Sequence, residues 1–339
     1  MKIAIHHQPG SFSNKWIEYC KNNQVNYKLV NCYGSDIIQQ LEDSDGLMWH
    51  WSHSDPKAVL FARQLIYSLE KAGKKVFPDS NTCWHFDDKL GQKYLLEAIG
   101  VPLVPTYAFY DKTQALEWAE KTVFPKVFKL RGGAGSLNVS LVKDKESAFK
   151  LINTAFNEGF SPIPSVHSDI KTKVKKIKSF NQFWKKLRKL SKYVEKTRTN
   201  KKSFSSEKGY AYFQDFIPNN DHDIRVIIIG EKAFAIKRMV RENDFRASGS
   251  GTIKHDPKNI PVDCLKSAFS LADKLNTQCV AIDYVFNNNK ILLVEISYGF
   301  SSRGYLNCPG YWDKELNWHS GAFTPEWFMI SDFIETVSF

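Results

Sequence analysis

At 339 residues, with 42% hydrophobic and 14% aromatic content, the chain is long enough for two or three packed modules with substantial cores. Its six cysteines, at 20, 32, 83, 264, 279 and 308, form no CxxC and no paired spacing, which argues against a disulfide framework and against a zinc site. The net charge of +11 would suggest a nucleic-acid or membrane partner, but residues 171–202 hold 14 Lys or Arg and one acid, Glu195, leaving 33 basic against 35 acidic residues elsewhere.

Residues 1–105 alternate strand and helix. KIAIHH, YKLVN, GLMWHW and KKVFP read as strands; SNKWIEYCKNN, SDIIQQLED, DPKAVLFARQLIYSLEKAG and a single helix over 82–100 read as helices. That order predicts a small parallel sheet with helices on its faces. The opening MKIAIHHQPG is a first strand rather than a signal peptide, and no apolar run approaches the ~20 residues that span a bilayer, so a cytoplasmic protein is the expectation. No GxGxxG follows the first strand, which speaks against a dinucleotide site. His50, His53 and His85 lack a metal-ligand spacing and are read as structural or substrate-lining groups.

From about residue 106 the pattern becomes α+β: strand TYAFY, helix KTQALEWAEKT, strand PKVFKL, the glycine-rich RGGAGSLN, strand VSLVK and helix KESAFKLINTAF. Successive glycines let a backbone turn tightly and present N–H groups to phosphate oxygens, yet no Lys-Ser/Thr follows, so the loop is not a Walker A motif. Lys129 ends the strand beside this turn, with Lys126 on the opposite face. A basic insertion over about 165–208 comes next. Within 171–202 the apolar Ile177, Phe180, Trp184 and Leu187 recur at helical spacing, which predicts an amphipathic basic helix. It packs on the protein body, binds an anionic membrane surface or lipid-linked polyanion, or binds nucleic acid, in that order of preference.

Strands YAYFQDFI, HDIRVIIIG and KAFAIKRMV follow, then Lys237, Arg238, Arg241 and Arg246 clustered around a second glycine loop, ASGSGT, and a helix VDCLKSAFSLADKLN. The last unit, AIDYVFNNNKILLVEIS, reads as a β-hairpin. With its turn centred on Asn289, Asp283 and Glu295 stand opposite each other inside apolar strands, and Ser297 projects from the same face. Buried like charges need compensation, either by Lys or Arg from elsewhere or by a metal ion, and three oxygen groups suit Mg²⁺. Beyond the hairpin, Arg303 is placed to grip a carboxylate, and Trp312 and Trp318 to stack on a sugar or close the core.

DDKLGQKYLLEAIGVPLVPT, FPKVFKLRGGAGSLNVSLV, YFQDFIPNNDHDIRVIIIGEKAFAIKRMVRENDFRASGSGT and VAIDYVFNNNKILLVEIS, in that order over roughly residues 89–305, resemble the ATP-grasp carboxylate-amine ligases. That family includes the ribosomal-protein glutamate ligase, glutathione synthetases and D-alanine-D-alanine ligases. The resemblance implies an α/β and α+β multidomain ATP-grasp fold. Its parts would be a Rossmann-like domain at 1–105, a lid subdomain at 106–217 and a C-terminal subdomain at 218–339. It implies ATP and Mg²⁺, with Lys89 and Lys129 on phosphates and Gly132, Gly133, Gly135 and Ser136 in a lid over the triphosphate. Gln214, Asp215, Phe216 and Ile217 would run along the adenine, with Asp223 near the ribose. Arg225, Arg246 and Arg303 would serve the transferring phosphate or the acyl substrate, and Asp283, Glu295 and Ser297 the metal. The family usually reads Glu-x-Asn where this chain has Glu295-Ile296-Ser297, which puts the third ligand in question.

The reaction implied is amide formation through an acylphosphate, on carboxylate and amine substrates. A uronic-acid surface glycan, which would bring the protein to the inner face of the membrane, and an amino acid or peptide are the two candidate acceptors. A phosphotransferase or a non-catalytic nucleotide-binding module are the readings of other classes, and a homo-oligomer stays open.

Overall fold

A computed structural model describes residues 1–132, 138–161, 206–241, 244–248 and 252–335. The first sheet is parallel, with β1 (Ile3–His6), β2 (Tyr27–Val30), β3 (Gly46–Met48) and β4 (Lys75–Phe77) in the order β2-β1-β3-β4. Helix α1 (Ser13–Asn22) follows β1. After the four-residue α2 (Ile37–Gln40) comes α3 (Pro56–Lys71), whose start is set by the Asp55 side chain accepting from Lys57 N–H and by Pro56 in the first turn.

The helix expected over 82–100 is two helices, α4 (Ser80–Cys83) and α5 (Lys89–Ala98). Asp87 takes a left-handed conformation (φ +53°), and the Asp88 carboxylate accepts from Gly91 N–H as an N-cap. An aspartate offers the backbone this local bond in place of a helical one, so the helical pattern restarts there. Lys89 thereby falls in the first turn of α5, buried rather than on a solvated helix face.

The second sheet is antiparallel: β5 (Thr106–Phe109), β8 (Ala211–Asp215), β6 (Lys126–Lys129) and β7 (Val139–Val142), in the order β5-β8-β6-β7. Helices α6 (Lys112–Lys121) and α7 (Lys145–Phe156) cover one face, each capped by an aspartate, Asp111 and Asp144. Ala115, Ala119, Ala148 and Ala155 are fully buried there, small enough for the helices to lie close to Phe128 and Phe213.

The third sheet is the largest. It contains β9 (His222–Ile229), β10 (Lys232–Met239), β11 (Ile253–Lys254), β12 (Cys279–Asn287), β13 (Lys290–Ser297), β14 (Gly310–Asp313) and β15 (Trp318–Ser320). The order is β13-β12-β9-β10-β14-β15, with β11 beside β10. Strand alternation divides its side chains. Ile224, Val226, Ile228, Val280, Ile282 and Tyr284 pack against α8 (Val262–Leu275), whereas Ile227, Ile229, Phe234 and Ile236 share a core with β1, α1 and α9 (Pro325–Glu335). Among the described residues no helix is long and apolar enough to cross a membrane.

Candidate active site

The β12–β13 hairpin turns through Asn288 and Asn289, both left-handed (φ +48° and +65°), as a two-residue hairpin turn requires. The register then runs Asn287 to Lys290 and up to Tyr284 opposite Leu293. Continued unchanged, it would set Asp283 against Val294. A β-bulge intervenes, Val294 is the extra residue, and Asp283 stands opposite Glu295. The expected pairing is present, but a two-residue turn plus a bulge produces it, not a turn centred on Asn289.

On its other side β12 pairs with β9, and Asp283 lies opposite Arg225. Arg225 forks onto the carboxylate, Nε to Oδ1 at 2.5 Å and Nη2 to Oδ2 at 2.6 Å. Arg238 on β10 adds Nη2 to Oδ2 at 2.9 Å and makes its own fork with Asp223, at 2.6 and 2.5 Å. Burial by itself would raise the pKa of Asp283; Arg225 and Arg238 outweigh it and hold the carboxyl well below the usual range. Burial pushes Asp223 upward against the pull of Arg238. The four side chains form a buried lattice of two carboxylates and two guanidinium groups.

A cavity of about 510 Å³ opens between the second and third sheets. Val104, Val127, Val139, Phe216, Ile217, Val285 and Val294 make one part of its lining apolar. Lys89, Lys129, Asp223, Arg246, Asp283 and Glu295 make the other part charged, with Gln214 and Asp215 also on the wall. Lys129 Nζ donates to Gln214 Oε1 at 2.6 Å, and burial depresses its pKa to about 8, Lys89 adding to the effect and Glu295 opposing it. Gln214 Nε2 reaches Thr106 Oγ1 (3.2 Å) and the carbonyl of Val294 (3.3 Å), so one amide ties the second sheet to the bulge beside Glu295. The Asp215 carboxylate is taken by Lys126 at 2.5 Å, whose ammonium lies over the Tyr107 ring.

Arg246 is paired with Asp244 (Nη2 to Oδ2, 2.7 Å) at the cavity edge. Gly132 stands at the root of the glycine loop, where a Cβ would approach Asp87 Oδ2 to 3.2 Å. That root is tied down: Arg131 N–H donates to Tyr210 Oη (2.7 Å), Tyr210 donates to Glu207 (2.8 Å), and Lys89 N–H donates to the Arg131 carbonyl. Gly133, Gly135 and Ser136 lie outside the described residues, as does the basic segment 171–202. Ser297 Oγ donates to the Gly299 carbonyl (2.8 Å) and accepts from Gly299 N–H (3.1 Å). Arg303 is exposed on a short 3₁₀ turn, and neither it nor Arg225 is in the cavity lining.

Sequence reasoning grouped Arg238 with Lys237, Arg241 and Arg246 as basic residues around the second glycine loop and gave it no individual role; it is only 6% exposed. The signal was present in KAFAIKRM, where Phe234, Ile236 and Arg238 alternate onto one buried face. His50 stacks on Phe12 at 3.7 Å and accepts from its N–H, and burial drops its pKa to about 3. Burial likewise lowers His85, to about 4. Trp312 and Trp318 pack edge to face on each other at 4.7 Å across β14–β15.

A model of the RimK-like ATP-grasp domain matches residues 190–304, the stretch that holds the arginine lattice and the acidic hairpin. The chain has the ATP-grasp fold. This ATP-grasp chain is 19% identical over 280 residues to the alpha-aminoadipate–LysW ligase LysX of Saccharolobus solfataricus, covering 81% of the chain and 84% of that protein. It superposes on a RimK-domain ATP-grasp protein from Sphaerobacter thermophilus with a TM-score of 0.56 at 14% identity, over 98% of the chain and 99% of that structure. The biotin carboxylase domain of the Hydrogenobacter thermophilus 2-oxoglutarate carboxylase, solved with MgADP, gives a TM-score of 0.60 at 12% identity, over 97% and 68% of the two chains.

Mg²⁺ takes oxygen ligands, and nucleotide sites typically give it one or two carboxylates plus phosphates and water. Among the described residues no three His, Cys, Asp or Glu converge as a metal cage. The Glu295 side chain lines the cavity, in electrostatic reach of Lys129. An oxygen ligand beside two lysines fits a hard ion that arrives with phosphate.

Proposed function

We propose that this ATP-grasp ligase joins a carboxylate to an amine through an acylphosphate, and that the acceptor is an amino acid or peptide. ATP and Mg²⁺ are its cofactors. The observation that carries the reading is the division of one cavity into an apolar slot and a charged end holding Lys89, Lys129 and Glu295. The amino-acid acceptor is supported by the LysX likeness, and nothing among the described residues favours the glycan.

The valines with Phe216 and Ile217 offer an apolar lining for a purine ring, and Gln214 ties the second sheet to the bulge beside Glu295. Lys129 and Lys89 neutralise phosphate oxygens; an anion beside Lys129 restores the proton that burial disfavours. Glu295 would hold Mg²⁺, which when bound offsets charge on the transferring phosphoryl group. Arg246 lines the cavity beside Asp244 and would offer its guanidinium fork to the acyl substrate. The chain supplies no covalent nucleophile through sulfur: all six cysteines are buried and free, and burial raises Cys20 to about 11 and Cys83, Cys264 and Cys308 to about 12. Catalysis rests on positioning and charge.

The test is phosphate release from Mg-ATP over a panel of amino-acid carboxylates and amines, for the wild type and Glu295→Gln. Release that needs both substrates, yields an amide and is lost in the variant supports the proposal. A phosphorylated product, or a variant equal to the wild type, contradicts it.

A further inference from the structure

Among the described residues β13 is the end strand of its sheet, so its outer edge needs partners from elsewhere. At Leu293 that edge is met by backbone: Leu293 N–H donates to the Pro102 carbonyl at 2.8 Å, and its own carbonyl accepts from Val104 N–H at 2.9 Å. Past the bulge it is met by two side-chain amides. Gln214 Nε2 donates to the Val294 carbonyl at 3.3 Å, and Gln92 Oε1 accepts from Ile296 N–H at 3.3 Å. The Val294 carbonyl belongs to the peptide that enters Glu295, and the Ile296 N–H to the peptide that leaves it. Peptide units are planar, so holding both of them fixes the two backbone dihedrals of Glu295 and with them the direction of its Cβ.

Both glutamines are buried, Gln92 at 5% and Gln214 at 3% exposure, and the other end of each amide is also bonded. Gln214 Oε1 accepts from Lys129 Nζ at 2.6 Å, and Gln92 Nε2 donates to the His85 carbonyl at 3.0 Å, just before α5 begins. Gln92 lies three residues after Lys89 in that helix, about one turn on. Lys89, Lys129 and Glu295 line the same cavity. One amide therefore ties the Glu295 segment to the helix that carries Lys89, and the other ties it to the Lys129 ammonium.

We propose that Gln92 is a positioning residue for Glu295: with Gln214 it sets the bearing of that carboxylate toward metal and phosphate, and through α5 its distance from Lys89. This rests on the cavity being the nucleotide site and on Glu295 being its metal carboxylate. Partners that orient a metal ligand are typically worth roughly 10–100-fold in metal affinity.

The experiment measures binding of the β,γ-imido analogue of ATP to the full chain by titration calorimetry, with Mg²⁺ and without. Gln92→Met keeps side-chain length and removes the amide. It is expected to lower affinity with Mg²⁺ by about tenfold and to change metal-free affinity by less than about twofold. In a Glu295→Gln background the same substitution should change neither affinity by more than about twofold, because the residue it acts through has gone. Unchanged affinity in Gln92→Met, an equal loss with and without metal, or a loss that persists in the Glu295→Gln background overturns the proposal. Should Gln92→Met not fold, amide exchange in the ¹⁵N-isoleucine wild type decides the point. Coupling is reciprocal, so adding Mg²⁺ to the analogue complex must slow exchange at Ile296 more than at Ile228 in the sheet core, and must not do so in Glu295→Gln; equal slowing at the two positions refutes it. A wild type that binds no analogue, or a Glu295→Gln variant with undiminished affinity in Mg²⁺, removes the reading of the site and this inference together.

Discussion

Replacing Arg238 by methionine removes the guanidinium that joins two carboxylates, with no large change in side-chain length. Arg238 makes two bonds to Asp223 at 2.6 and 2.5 Å and one to Asp283 at 2.9 Å, and it is 6% exposed. Taking one partner from a buried ion pair costs about 3–5 kcal/mol, chiefly because the remaining charge stays buried without compensation. Here Asp223 loses its whole fork, whereas Asp283 keeps Arg225, so the lower half of that range is the expectation. At roughly 2 °C of melting temperature per kcal/mol for a chain above 150 residues, the midpoint falls by about 6–8 °C. Thermal melts of Arg238→Met, Asp223→Asn and the double variant are the assay. The double variant should be more stable than Arg238→Met alone, because the orphaned carboxylate has been removed. A single variant within about 1 kcal/mol of the wild type, or a double variant whose losses simply add, would refute the claim that Arg238 and Asp223 compensate each other.

Other outcomes follow from the same geometry. Lys129 has a folded pKa of about 8 against 10.5 in the unfolded chain, so between those values the unfolded state holds the extra proton and stability rises with pH, by about 3 kcal/mol in all. Denaturation of the nucleotide-free protein against Lys129→Met should show that rise in the wild type alone, and parallel curves would contradict it. Gln214→Glu places a carboxylate where Lys129 now donates to an amide; it should raise the Lys129 pKa, flatten the same rise and weaken metal-free nucleotide binding by charge repulsion, all readable by titration calorimetry. Ser297→Ala should cost about 1 kcal/mol through the lost bonds to Gly299 and leave metal-dependent nucleotide affinity unchanged; a fall in that affinity would return Ser297 to the metal.

Much of this arrangement is written in local pattern. Alternating apolar residues mark β9, β10 and β12, caps mark α3, α6 and α7, and the paired asparagines mark the turn that brings Asp283 and Glu295 together. Lys89, Lys129, Gln214, Asp223, Arg246, Asp283 and Glu295 do meet on one cavity wall. Local pattern carries no information on which distant strand lies beside which. Arg225 and Asp283 are 58 positions apart and Asp223 and Arg238 are 15, and only the order β12-β9-β10 makes them neighbours. The same is true of Gln214, whose bond to the Val294 carbonyl depends on a bulge that no turn rule predicts. The break at Asp87 and Asp88 was hidden for another reason: a helical apolar pattern on both sides masks a capping aspartate between them.

Fate of the carboxylate oxygen tests the central claim most directly. With an amino-acid carboxylate labelled with ¹⁸O and an amine that together support turnover, formation of an acylphosphate followed by aminolysis must leave one labelled oxygen in each phosphate released. Mass spectrometry of the phosphate should find that label in step with amide formed, and unlabelled phosphate accompanying amide formation would contradict the account.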